Sequence, residues 1–322
     1  MMSENNYLYA SSLVRASEKG GSAGERLETI LSSANAESLC KNAAAIFGVD
    51  EKSTPEAVLE GALMRCISTI RSAVPDMSVF APLLYKYDCN NIKLALKSSL
   101  LGIADGVMIS GAGTIAPDTV AKCAETGDFS KVPLAMGKAA KKAREAYLKT
   151  GEARAIDLML DRACFEDMKK AADEGNVPLI SEIVSATADK VNILTYLRIG
   201  KMNMPEESAK ALLSRALVVG GKIPHTAFFG DIEYLKSNLG NCIFKKAIAE
   251  FDGSFTALEK VLDDIILSLV RDVKFKAFGA EVPIRHLMVC EAEILNCRIM
   301  ARCLAEGADK AEARRRMRCA YV

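Results

Sequence analysis

The sequence predicts an all-α protein made of three similar helical domains, and three observations carry that reading. Apolar residues recur at helical spacing along nearly the whole chain. Alternating β-branched runs, the usual strand signal, are missing, and there is no Trp among the 322 residues. One motif is also written three times in register. It runs as an acid, an Asn three residues on, a base six residues further, and a Gly or Asn five beyond that. The copies are Asp88, Asn91, Lys97, Gly102; then Asp189, Asn192, Arg198, Asn203; then Glu293, Asn296, Arg302, Gly307. The Asn positions lie 101 and 104 residues apart, from 91 to 192 and from 192 to 296. A second landmark keeps the same phase, since Leu59-Glu60, Leu160-Asp161 and Leu262-Asp263 precede each Asn by 31, 31 and 33 residues, counted from the acid. Two landmarks in register over three copies define an internal repeat.

The spacing also gives each copy its conformation. Ile92, Ala95 and Leu96, then Ile193, Tyr196 and Leu197, then Cys297, Met300 and Ala301 form one helical stripe. Gly102, Asn203 and Gly307 are residue types that tolerate positive φ and are expected to stop their helices in the left-handed region. The base one turn earlier suits the negative end of the helix. Asn is mildly unfavourable in mid-helix. Its recurrence there predicts a side-chain hydrogen bond that pins a neighbouring segment.

Other helix signals follow along the chain. An extra N-terminal helix is expected from Tyr7 to about Lys19. Thr54-Pro55-Glu56 places a cap before an N-terminal Pro. Asn203-Met204-Pro205-Glu206 sets a cap with an acid three residues on, and Gly220-Gly221 is expected to end the helix so opened. Leu258, Val261, Leu262, Ile265, Ile266, Leu269 and Val270 follow a 3.6-residue stripe for three turns. Most of the nine Pro fall at expected junctions. The resulting division is 1–116, with the extra helix, then 117–221 and 222–322.

Composition excludes several functions. With 42 basic and 41 acidic residues the net charge is +1, so nucleic acid is not an expected partner. The cluster Arg314-Arg315-Arg316 with Arg318 reads as a solvated helix end. Ten Cys without a Cys-x-x-Cys pair argue against a zinc site or a disulfide framework and for a reducing compartment. His286, Cys290 and Cys297 share a helix face, yet metal binding there would need a fourth ligand from elsewhere. No signal-peptide pattern opens the chain, and no apolar run reaches about 20 residues. The longest weakly polar stretch, Ser98 to Thr114, is broken by Asp105 and four Gly.

Catalytic signatures are not found either. The phosphate-binding Gly-Lys-Ser/Thr loop is missing. Gly111-Ala112-Gly113 lacks the third Gly of a dinucleotide fingerprint. Neither His225 nor His286 accompanies a nucleophile elbow. Asp263-Asp264 falls short of an aspartate-rich magnesium motif. Neither an enzyme nor a cofactor is expected, and three helical units without site chemistry read as a shape for holding other proteins.

The repeat residues also carry a resemblance. Tyr7 through Arg15-Ala16, Tyr87-Asp88 through Asn91-Ile92-Lys93 to Lys97, Asp189 through Asn192 to Arg198, and Glu291 through Asn296 to Arg298 stand in the order found in one family. It is the family of the C-type central-stalk subunits of prokaryotic V-type (A-type) ATPases/ATP synthases, equivalent to the d-type subunits of eukaryotes. The chain resembles that family from Tyr7 to the Arg-rich end. Lys97 stands where Arg is more usual, and Asn203 takes a Gly-like stop. The resemblance implies a funnel-shaped, pseudo-threefold, non-catalytic rotor component. It would link axial stalk subunits (D and F type) to the proteolipid ring, sit on the cytoplasmic face of the membrane, and be monomeric when isolated. Arg15, Lys93, Arg198 and Arg298, near repeated positions, are expected to line the stalk socket or else to be satisfied within their own domains. A freestanding helical-repeat scaffold is the alternative. It would call for shorter tandem repeats of about 35–45 residues.

Overall fold

A computed structural model of the chain describes residues 4–18, 21–102 and 109–319. Among these residues the regular elements are all helical, as the periodicity predicts. In chain order they are α1 (Leu8–Ser17), α2 (Ala23–Ser32), α3 (Ala36–Phe47), α4 (Pro55–Ala73), α5 (Ala81–Leu101), α6 (Pro117–Thr126), α7 (Leu134–Thr150), α8 (Arg154–Gly175), α9 (Pro178–Gly200), α10 (Glu206–Ala216), α11 (Ile232–Ser237), α12 (Lys245–Ala249), α13 (Phe255–Ser268), α14 (Glu281–Glu306) and α15 (Lys310–Arg316). Short 3-10 turns precede α1, α5, α11 and α14. The expected end of the first helix at Lys19, and Asp105 in the weakly polar stretch, lie outside the described residues.

The chain forms two compact units. The first takes in residues up to Met77 and from Lys246 onward. Its centre is the packing of α14 on α4, covered by α1, α2 and α3, with α15 against α14, α13 and α2. The α4 face is apolar at helical spacing, with Val58, Leu59, Ala62, Leu63, Ile67 and Ile70 all buried. Its start is fixed as the sequence predicts: Thr54 Oγ1 accepts from the Ala57 N–H, and Pro55 takes the first helical position. The second unit, Ser78–Lys245, is built on α8, which α5 and α7 flank, with α9 and α10 behind and α6 against α5.

The left-handed stops at Gly102 (φ 68°) and Gly307 (φ 68°) are present. Asn203 also has positive φ (47°), but α9 already ends at Gly200, so Asn203 lies in the loop and does not stop the helix. Nor does it cap α10, whose N-cap position is held by Pro205. That helix ends at Ala216, short of Gly220-Gly221. The chain leaves it early because Leu217 and Val218 are buried, 2% and 0% exposed, and α9 binds the Val218 backbone. In α13 the expected stripe is narrower than its seven positions. Leu258, Leu262 and Ile266 are buried, Val261 is exposed, and Leu269 and Val270 lie beyond the helix.

The three repeated Leu landmarks are core residues: Leu59, Leu160 and Leu262 are 1%, 0% and 0% exposed. Truncating Leu160 or Leu262 to Ala is expected to lower stability by about 2–5 kcal/mol, read from denaturant midpoints. Val261→Ala, one helix position away, should stay within about 0.5 kcal/mol.

Candidate functional site

The repeated Asn makes the same contact in each copy. On α5, Asn91 donates from Nδ2 to the Ser110 carbonyl (2.8 Å) and accepts at Oδ1 from the Ser110 N–H (2.9 Å). On α9, Asn192 does this to Val218, at 2.9 and 2.8 Å. On α14, Asn296 does it to Arg318, at 3.2 and 2.8 Å. One side-chain amide thus takes the place of a neighbouring strand, saturating both backbone groups of a segment that has left its helix. Asn91, Asn192 and Asn296 are 1%, 0% and 3% exposed. A buried amide of this kind is costly unless paired, and here the pairing is reciprocal. Val218 O also receives His225 Nε2 at 2.9 Å.

The acid one turn before the Asn holds the next few residues of the same segment. Asp88 accepts from the Thr114 N–H (3.0 Å), the Thr114 hydroxyl (2.6 Å) and the Ile115 N–H (3.1 Å). Asp189 accepts from the Lys222 and Ile223 N–H groups, both at 3.0 Å. Burial pushes both carboxyls above the usual carboxylate range, and these N–H bonds oppose it. The close approach requires glycine: a Cβ at Gly113 or Gly221 would overlap the Asp88 or Asp189 Oδ1. Gly113 and Gly221 each lie three residues after the clasped residue, followed by Thr114-Ile115 or Lys222-Ile223. The third copy departs. Counting on from Arg318 puts the glycine place at 321, outside the described residues. Glu293 instead accepts from Arg26 Nε and Nη2, each at 2.7 Å.

The bases divide. Lys97 pairs with Asp157 (2.7 Å) and Lys93 with Asp161, both joining α5 to α8. Arg298 reaches from α14 to Glu56 on α4 (2.7 Å). The two helix pairs so joined have one form, a motif helix bound to the Leu-acid helix of another copy. Arg302 is exposed and pairs with Glu306 one turn on (2.8 Å). Arg198 is exposed on α9, and Arg15, exposed on α1, donates to the Lys276 carbonyl. The Arg-rich end is engaged throughout: Arg314 with Glu28, Arg315 and Arg316 with Glu312, and Arg318 with Asp263. Sequence reasoning missed the clasped partners and the glycines. A signal was available, since Gly-x-Ile follows each of the first two motifs, but the Asn and its partner are 19, 26 and 22 residues apart. Among the described residues no helix is long and apolar enough to cross a membrane, and no three His, Cys, Asp or Glu side chains form a metal-holding group.

A helical repeat protein whose copies are clasped by buried Asn residues is the class these features define. The profile of the ATP synthase (C/AC39) subunit family matches residues 47–316, and the chain belongs to that family. It is also similar to the C-type subunit of the A-type ATP synthase from Desulfurococcus sp. (strain SY), 25% identical over 138 residues. That alignment covers 41% of this chain and 37% of the relative's length.

The clasp gives a direct prediction. Asn192→Ala leaves the Val218 N–H without its partner and weakens the hold on its carbonyl, so stability should fall by about 1–3 kcal/mol. Hydrogen exchange at the Val218 amide should accelerate before the core amides of α8 do. Gly221→Ala should be at least as damaging, because the Asp189 carboxylate must move.

Proposed function

We propose that the chain is a non-catalytic central-stalk subunit of a rotary ATPase or ATP synthase. In this reading one end seats on the proteolipid ring of the membrane sector and the other receives the axial stalk subunits of the soluble head. It carries torque between ATP chemistry and ion movement, without a cofactor, at the cytoplasmic face of the membrane, and it is a monomer when isolated. Family membership supports the reading, and one structural observation carries it furthest. The motif helix of one copy is ion-paired to the Leu-acid helix of another, by two pairs in the second unit and one in the first.

The physical argument is mechanical. A coupling must pass force without shearing, and close-packed helices transmit strain because their interiors compress little. The clasps add cross-links between each helix and the loop that returns to it. In this reading the division at 1–116, 117–221 and 222–322 marks three repeats arranged cyclically about a pseudo-threefold axis in a funnel. Such a socket meets a ring of identical subunits through distributed contacts, since the ring's copy number need not match three. Arg15, Arg198 and Arg298 are the socket residues whose exposure suits a partner. Lys93, with its side chain 14% exposed and paired to Asp161, weighs towards an internal role.

The test is recovery of the chain from its native membranes in mild detergent, with partners identified by mass. Axial stalk subunits and the ring proteolipid are expected in the complex. A folded chain recovered with neither would overturn the reading. Arg198→Glu should weaken stalk association by about tenfold, or 1.4 kcal/mol, with an unchanged helical spectrum. Unaltered association would remove that residue from the socket.

A further inference from the structure

The second unit carries a groove that neither the clasps nor the proposed function uses. It runs between α7 and α8 with a volume of about 570 Å³, and among the described residues its lining comes from these two helices alone. The helices are antiparallel neighbours, joined by residues 151–153 and by Asp167 on α8, which accepts from the Ala135 and Met136 N–H groups at 3.0 and 2.8 Å. On α7 the lining residues Leu134, Lys138 and Lys142 follow at four-residue steps, and on α8 Arg162, Glu166 and Lys170 do the same. Each of these rails spans about 12 Å of helix. The rest of the lining is apolar and mostly small, from Ala135, Ala139, Met159 and Ala163.

We propose that this groove docks an acidic amphipathic helix of another protein. Charge selects the acids. Lys138 and Lys142 are exposed and carry no ion pair among the described residues. Arg162 gives one N–H to the Ser214 carbonyl (3.3 Å), and Lys170 lies 3.9 Å from Glu174 in an exposed pair that adds little. Four cations thus face two acids, Glu166 and the buried Asp167, for a net of +2 where the whole chain carries only +1. Such a local field favours carboxylates and steers them in. Shape selects the helix. Leu134 is 60% exposed beside the alanines, an apolar surface that a partner's Leu or Phe covers. Ala135, Ala139 and Ala163 leave room for an incoming helix to approach closely, since interaxial distance follows side-chain size. A concave slot with an apolar floor and basic rails is how a groove takes a helix, whereas a flat lipid surface is met by a protruding face.

The repeat supplies a comparison within the chain. From Leu59 to Leu160 the offset between the first two copies is 101 residues. That offset carries Ala163, Glu166, Asp167 and Lys170 on α8 back to Ala62, Arg65, Cys66 and Thr69 on α4. These four places also line a cavity, and there the wall includes Ser17 at the end of α1 and Ala23 at the start of α2. The extra helix α1 packs directly on α4. The first copy therefore lays helices of its own chain against this stripe. In the second copy only α7 lies against it, and the remaining side is open to a partner. None of the residues assigned to the stalk socket lines the groove, so the proposal stands apart from the rotary reading.

The purified full chain would be titrated, by fluorescence anisotropy, with a labelled synthetic helix that has Leu along one face and Glu along both flanks. It should bind at least about tenfold more tightly than the same helix with Lys in place of Glu, and added salt should weaken it. Lys138→Glu together with Lys142→Glu should cost about tenfold in affinity with the helical spectrum unchanged. Ala139→Phe fills the groove without changing its charge and should cost about as much, which a merely electrostatic attraction would not show. The two exposed lysines decide the matter even if Ala139→Phe does not fold. Equal binding of the two helices, or binding indifferent to the lysine changes, would overturn the proposal. So would tighter attachment to phosphatidylglycerol vesicles than to the acidic helix, or a dimer of the chain itself that Ala139→Phe dissolves.

Discussion

Each copy of the repeat depends on a buried Asn amide closing on the N–H and C=O of one residue. A loop that turns back against a helix has nowhere to place its N–H and C=O groups once water is excluded, and leaving them bare costs more than most core contacts return. Asn91, Asn192 and Asn296 solve this identically for Ser110, Val218 and Arg318. The surrounding features follow from that choice. Asp88 and Asp189 take the next N–H groups along the segment, Gly113 and Gly221 let the chain approach the carboxylates, and α10 ends early so that Val218 can be reached. The third copy keeps the amide and replaces the rest with arginine: Arg26 neutralises Glu293, and Arg318 ties the segment to Asp263.

Much of this was legible before any coordinates. Helical periodicity gave the fold class, and the recurring mid-helix Asn signalled a hydrogen bond because helices place Asn there at a cost. The Thr54-Pro55 start and the Gly102 and Gly307 stops are local signals, set by one or two residues, and they are found where expected. What was not legible depends on partners distant in sequence. Asn203 carries cap and stop chemistry at once, and only the path of the neighbouring loop decides that it does neither. Val261 fits the apolar stripe of α13, yet its burial depends on whether another element covers that edge. The acids that face Lys93, Lys97 and Arg298 lie 68, 60 and 242 residues away. No spacing rule within one helix could name them.

The cysteines illustrate the same division. Their number and lack of pairing exclude a framework of disulfides, and the structure leaves all ten free. Composition does not tell what each thiol faces: Cys89 and Cys164 donate to the backbone carbonyls of Leu160 and Tyr85, while Cys66 and Cys290 line one cavity of the first unit.

The two lysines of α5 carry one further consequence. Lys93 meets Asp161 and Lys97 meets Asp157, so the charges ascend one helix as they descend the other, with a one-turn step on each. Two such rungs act as a vernier. Sliding α5 by one turn, about 5.4 Å, would realign a single rung and part the other. The interface therefore has discrete settings with one clearly preferred, and a push along the helices meets a detent rather than a smooth glide.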